Sequence, residues 1–218
     1  MVEKKIFKTK HEWLNARKSR IGGSDASCIV GMNPYKNNVD LWLEKIGKIE
    51  AEDISDKPYV QYGISAEVHL RELFKLDFPE YEVIYDENNM FLNDRYPFAH
   101  ASLDGELIEL ETGRRGILEI KTTNILQSMQ REKWNNRLPD NYYIQLIHYL
   151  LITEYDFAVL KAQLKSVFNN DETYIQTKHF KIERGDALDD IEYLRDKEQA
   201  FFNCIKSNRC PDLILPEI

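Results

Sequence analysis

The chain has 218 residues, 43% of them hydrophobic, with 37 acidic against 29 basic side chains and a formal net charge of −8. That composition belongs to a chain with a folded core, and the acidic total argues against a protein that simply coats nucleic acid. No apolar run reaches membrane-spanning length, Met1 to Lys5 lacks the apolar centre of a signal peptide, and Cys28, Cys204 and Cys210 are too scattered for a metal pattern, so a soluble cytoplasmic protein with ordinary thiols is expected.

The first predicted element is a short helix over Thr9 to Lys18, carrying Trp13 and Leu14 in a locally basic segment. Next comes Ser19-Arg20-Ile21-Gly22-Gly23-Ser24-Asp25-Ala26-Ser27. Its glycines allow a tight bend, and Ser24 or Asp25 suits the cap of a helix from Ala26 to Val30. A helix start with serine hydroxyls and an arginine fits a phosphate, although a plain cap with Arg20 on the surface fits as well. Asp40 to Ile46 reads as a helix closed by Gly47, with Leu41, Trp42 and Leu43 in the core, and Glu50 to Lys57 as a loop. Gln61 to Leu76 is a helix with Ala66, Leu70, Leu73 and Phe74 as its apolar stripe. Glu67 lies at the edge of that stripe, either paired with Arg71 or aimed at a site.

Tyr81 to Tyr85 and Met90 to Leu92 read as strands around a polar turn. The stretch that organises the chain follows: Ser102-Leu103-Asp104-Gly105, a turn over Glu111 to Gly116, then Ile117-Leu118-Glu119-Ile120-Lys121. In the second strand Leu118 and Ile120 point to one face, and Glu119 and Lys121 to the other. An antiparallel partner brings Asp104 alongside. Two carboxylates close together repel, and a divalent cation such as Mg²⁺ relieves that repulsion with hard oxygen ligands. A Glu-x-Lys strand taken alone is an ordinary exposed face, so this reading depends on the rest of the chain.

After Lys121 a polar helix is expected from about Ile125 to Asn135, then a strong helix over Tyr142 to Thr153 opened by Pro139-Asp140. Gln145 sits there in apolar company and needs hydrogen-bond partners, and His148 reads as a satisfied, half-buried histidine. Phe157 to Leu164 and Tyr174 to Ile182 alternate as an antiparallel pair, and Gly185 to Lys206 forms an amphipathic closing helix with Leu188, Ile191, Leu194, Phe201 and Phe202 inward. The order predicts an α/β (α+β) fold, a mixed, mostly antiparallel sheet flanked by helices, in a single domain over 1–218. Its expected parts are an N-terminal helical part (1–60), a core (61–165) and a closing segment (166–218).

Several motifs, in order from Arg20 to Val159, resemble one family. They are Arg20-Ile-Gly-Gly-Ser-Asp-Ala-Ser27, Gly31-Met-Asn-Pro-Tyr35, Asp40-Leu-Trp-Leu-Glu-Lys-Ile-Gly47, Gly63-x-x-x-Glu67, Leu103-Asp104-Gly105, Leu118-Glu-Ile-Lys-Thr122 and Tyr142-Tyr-Ile-Gln145. The chain resembles the YqaJ-like viral recombinases, relatives of the lambda-type alkaline exonucleases in the PD-(D/E)xK nuclease superfamily. It departs from the superfamily's first motif in having Leu103 where a proline often stands.

The resemblance implies a restriction-endonuclease-like core. It implies Mg²⁺ (or Mn²⁺) held by Asp104, Glu119 and the carbonyl of Ile120, with Glu67 completing the acidic cluster. Lys121 would position or deprotonate the attacking water, Gln145 would support the site, and Arg20, Ser24 and Ser27 would hold a terminal 5′-phosphate. The implied activity is 5′-to-3′ exonuclease digestion of linear double-stranded DNA, leaving 3′ single-stranded tails for recombination. The implied setting is a phage or prophage product in a bacterial cytoplasm, a homo-oligomeric ring (a trimer), and a single-strand annealing protein as partner. Alternatives on the same scaffold are a structure-specific or single-strand endonuclease, and a catalytically idle DNA-end-binding protein.

Overall fold

Residues 1–135, 137–167 and 172–215 are described by the computed structural model, so the expected closing segment 166–218 lies partly outside the described residues. In chain order the elements are β1 (Val2–Ile6), α1 (Lys10–Lys18), α2 (Gly23–Ile29), α3 (Asn38–Lys45), α4 (Pro58–Asp77), β2 (Tyr81–Ile84) and β3 (Asn89–Asn93). They continue with β4 (Gly105–Glu109), β5 (Arg115–Asn124), α5 (Ser128–Glu132), α6 (Asp140–Thr153), β6 (Phe157–Val167), β7 (Thr173–Glu183) and, after a 3₁₀ turn, α7 (Leu188–Lys206).

The central sheet has five strands in the order β2-β4-β5-β6-β7. Only β5 and β6 run parallel, joined by the crossover that contains α5 and α6; the other neighbours are antiparallel. This is the mixed, mostly antiparallel sheet with flanking helices that the pattern of elements predicts. A separate two-stranded sheet pairs β1 with β3.

Period-two alternation in β5 divides the core. Leu118 and Ile120 face α4, where they meet Leu70, Phe74, Leu107, Phe157 and Val159. Ile117 faces the other way, into a larger cluster with Ala158 and Leu160 of β6, Leu151 of α6, Ala26 of α2 and Leu194 of α7. Each such side chain removed from water contributes roughly 1.5–3 kcal/mol, so the two clusters clamp the sheet from both faces. Helix α6 is buried continuously from Ile144 to Thr153, which suits a helix covered on all sides. His148 is fully buried there. One ring nitrogen lies 2.6 Å from Glu198 of α7 and the other 2.8 Å from the carbonyl of His100. Thus His148 is satisfied, as expected, but buried rather than half-buried.

Other differences have local causes. The α2 helix starts at Gly23, not Ala26, because the Asp25 carboxylate accepts the Gly22 N–H at 2.9 Å from inside the first turn. Helix α3 starts at Asn38, not Asp40, because the Asn37 side chain caps it by accepting the N–H groups of Val39 and Asp40. Helix α4 begins earlier than expected, with Pro58 in its first turn, where a missing N–H costs nothing. Its buried residues are Leu70, Arg71 and Phe74, while Leu73 is exposed, and Leu188 at the start of α7 is exposed too. Helix α5 is shorter than expected because Ile125 continues the sheet, its N–H donating to the carbonyl of Lys165 at 2.7 Å. The strands at Tyr81 and Asn89 do not pair with each other. The first pairs with β4 and the second with β1.

Candidate active site

The site grows from the end of the β4–β5 pairing. The last paired residues are Gly105 and Leu118. One step further, Asp104 comes opposite Glu119 and β5 runs on with that edge open. Asp104 fills the edge with its side chain: Oδ2 accepts the Ile120 N–H at 2.8 Å. In a strand the N–H and C=O of one residue point to the same side, so the Ile120 carbonyl faces this edge as well. Glu119 and Lys121, on the α6 side of β5, form an ion pair of 2.6 Å with Glu119 almost fully buried.

Helices α6, α2 and α4 surround these side chains. From α6, Gln145 Nε2 donates to Glu119 Oε1 at 2.7 Å and to the Tyr149 hydroxyl at 2.8 Å. Helix α2 comes close to these two side chains only because Gly23 has none of its own. A Cβ there would stand 2.5 Å from the Tyr149 ring and 3.0 Å from Gln145 Cγ. From α4, Glu67 is held by Arg71 one turn on. Arg71 Nε also donates to the backbone carbonyl of Asp104 at 2.6 Å, and the guanidinium stacks 3.5 Å from the Tyr85 ring centre. One arginine therefore fixes an acidic side chain and the turn that carries another. The resulting cleft has a volume of about 520 Å³ and is lined by Glu67, Asp104, Glu119, Ile120, Lys121, Gln145 and Tyr149.

The electrostatics are those of acids gathered in a dry place. Burial, then the charge of Asp104, pushes Glu119 up to about 8. The same two causes push Glu67 up to about 7, and burial raises Asp104 as well. For Lys121, burial works against the charged form, but Glu119 and Asp104 outweigh it and the net shift is upward. Protons thus cling to the carboxyls while the ammonium stays charged.

This donor set fits a hard divalent cation. Glu119 Oε2 is buried without a hydrogen-bond partner, and an orphaned carboxylate oxygen beside a second carboxylate is costly unless a cation serves both. Among the described residues no three acidic, histidine or cysteine side chains form a ready-made metal cage. Mg²⁺ does not require one, since it keeps several waters and takes one or two carboxylates. Asp104, Glu119 and the Ile120 carbonyl would supply that, with Glu67 turned to Arg71 nearby.

The residues expected at a terminal phosphate are divided. Ser24 is exposed and lines the cleft, whereas Arg20 and Ser27 do not line it. Ser27 is buried, its hydroxyl accepting from Asn33 Nδ2 at 3.2 Å, and Arg20 is half-buried with its carbonyl accepting from Lys45 at 2.8 Å. Sequence reasoning missed Tyr149 as a site residue; its place four residues after Gln145, on the same helix face, was the signal. It also missed the face of α1 that carries Lys10, Trp13 and Arg17 into the cleft.

A family model for the YqaJ-like viral recombinase domain matches residues 12–156. The uncharacterized protein YqaJ of Bacillus subtilis (strain 168) is 30% identical over 200 residues, which cover 87% of this chain and 56% of that protein. The chain therefore spans just over half the length of that relative. Among solved structures, the alkaline exonuclease LHK-Exo from Laribacter hongkongensis has a TM-score of 0.66 at 17% identity, covering 91% of this chain and 94% of that one. Its complex with dAMP gives 0.64 at 18% identity over the same shares. A phage-related exonuclease from Haemophilus somnus 129PT gives 0.52 at 14% identity, over 87% of this chain and 96% of that one. At these identities the likeness is one of fold. Among the described residues no helix is long and apolar enough to cross a membrane.

Proposed function

The chain belongs to the YqaJ-like viral recombinase domain family, and from that membership and the chemistry of the cleft we propose that it is a Mg²⁺-dependent nuclease. In this reading it digests one strand of linear duplex DNA from the 5′ end and leaves a 3′ single-stranded tail. The observation that carries the proposal is the open edge of β5, where half-buried Asp104 and buried Glu119 share one face with Lys121 and a Glu119 oxygen has no partner. The alkaline-exonuclease fold and the dAMP complex of LHK-Exo support the same class of reaction.

Asp104, Glu119 and the Ile120 carbonyl would hold the cation, which would supply Lewis-acid stabilisation of charge on the phosphoryl group and a lowered pKa for its water. The protein's own groups do the placing. The Ile120 N–H locks Asp104 Oδ2 against the edge of β5. Gln145 and Lys121 both hold Glu119 Oε1, which leaves Oε2 as the free donor. Arg71 keeps Glu67 and the Asp104 turn in register. Lys121, paired with Glu119 beside the cleft, is assigned to position or deprotonate the attacking water. Ser24 of α2 is assigned to the terminal phosphate, with Arg20 reaching it from the preceding loop and buried Ser27, on the same helix and bonded to Asn33, supporting that turn. A homo-oligomeric ring, a trimer, around the DNA and a single-strand annealing protein that takes the 3′ tail complete the proposal.

The test is digestion with Mg²⁺ of linear duplex bearing a 5′-phosphate, linear duplex bearing a 5′-hydroxyl, and closed circular duplex. Loss of the phosphorylated linear duplex, with mononucleotides released and the circle intact, is expected. Cleavage of the circle would replace the exonuclease with an endonuclease, and no cleavage of any substrate would remove the catalytic reading.

A further inference from the structure

Helix α1 turns Lys10, Trp13 and Arg17 into the same cleft as Asp104 and Glu119. These positions fall on one helical face. The helix buries none of its residues in the core, so packing does not account for that face. Trp13 anchors it: the indole Nε1 donates to the carbonyl of Asn89 at 2.9 Å and to the Ser102 hydroxyl at 3.2 Å. The Arg17 guanidinium lies over the fixed indole, 4.2 Å from the ring centre. It is thus held in place before any ligand arrives, which reduces the ordering cost of binding.

The charges of the cleft make this face distinctive. Of its three lining cations, Lys121 is committed to Glu119. Among the described residues neither Lys10 nor Arg17 takes part in an ion pair. They are the two cations of the cleft lining with their charge unspent, in a chain whose net charge is −8. Over the seven residues from Lys10 to Arg17 the helix rises roughly 10 Å, comparable with about three base-pair steps of 3.4 Å along the axis of a duplex.

We propose that Lys10 and Arg17, with Arg17 braced on Trp13, form a rail that grips the phosphodiester backbone of duplex DNA at the mouth of the cleft. The proposal rests on the nuclease reading and adds to it the surface that holds the duplex. Lys18 provides a control on the same helix, since it is exposed and does not line the cleft.

The experiment is equilibrium binding of the full chain to a labelled linear duplex in EDTA across a salt series, for the wild type, the K10Q/R17Q double variant and K18Q. Thermal melts check that each variant is folded. Two lost phosphate contacts reduce the slope of log K against log salt by about 1.8, and K18Q is expected to change it by less than about 0.5. A double variant with the wild-type slope, or a K18Q variant that loses as much slope as the double variant, would overturn the rail. Wild type that binds no duplex would bring down the nuclease reading and the rail together. Wild type that binds and cleaves while the double variant keeps its slope would bring down the rail alone.

Discussion

Magnesium should stabilise this protein more as the pH rises, and the size of the effect follows from Glu119. Its carboxyl is pushed up to about 8 by burial and by Asp104. A folded-state pKa above the unfolded value means that, between roughly pH 4.5 and pH 8, the folded chain keeps a proton the unfolded chain has released. Stability of the metal-free protein therefore falls as pH rises through that window. A cation at Asp104 and Glu119 must displace this proton. Its affinity then drops about tenfold for each pH unit below 8, or ~1.4 kcal/mol of stabilisation at saturating cation. For a chain of this length, ~1.4 kcal/mol corresponds to about 3–6 °C in Tm. The assay is a thermal melt followed by tryptophan fluorescence, in EDTA and in excess Mg²⁺, at intervals from about pH 6 to about pH 9. The gap between the two melts should widen by roughly that amount per unit up to about pH 8 and then level off. A gap of constant size, or none at any pH, would refute the link between Glu119, its proton and the cation.

Further predictions come from other contacts. Gly23→Ala puts a methyl group 2.5 Å from the Tyr149 ring and displaces Gln145. Its cost in stability is about 1–3 kcal/mol, and cleavage should fall further than the melt implies; wild-type turnover would show that the α2–α6 approach is not needed. Glu198→Ala leaves the buried His148 without its carboxylate and should cost about 3 kcal/mol near pH 6. For His148, burial opposes the charge but Glu198 outweighs it, so its folded pKa is raised above 6.5. That contribution is complete below 6.5 and disappears as pH rises through the higher folded value, so the deficit of Glu198→Ala should shrink in alkaline melts. A deficit independent of pH would mean that His148 is neutral. Arg20→Ala is expected to weaken the preference for a 5′-phosphate over a 5′-hydroxyl end, and equal discrimination in variant and wild type would remove Arg20 from the terminal phosphate.

What could be read from the residues was whatever depends on local period. Leu118, Glu119, Ile120 and Lys121 alternate because a strand has period two, so the acidic face and its Asp104 partner were visible before any coordinates. Residues whose state is set by a distant neighbour were less visible. Val2–Ile6 is too polar to announce itself, and it becomes a strand by pairing with Asn89–Asn93. Leu73 shares the helical period of Leu70 and Phe74 yet is exposed, while charged Arg71 is buried because Glu67, the Asp104 carbonyl and Tyr85 all receive it. Trp13 was legible only as a residue carried by a short helix, and only the fold brings Asn89 and Ser102 to its indole.

The most direct measurement compares wild type, Glu119→Gln and Lys121→Ala on one linear 5′-phosphorylated duplex, in Mg²⁺ and in EDTA, with circular dichroism to verify folding. Wild type should degrade the duplex only in Mg²⁺, and both variants should be folded but lose activity by at least about 10²-fold. A folded Glu119→Gln protein that digests the duplex at the wild-type rate, or wild type equally active in EDTA, would contradict the placement of the chemistry on the open edge of β5.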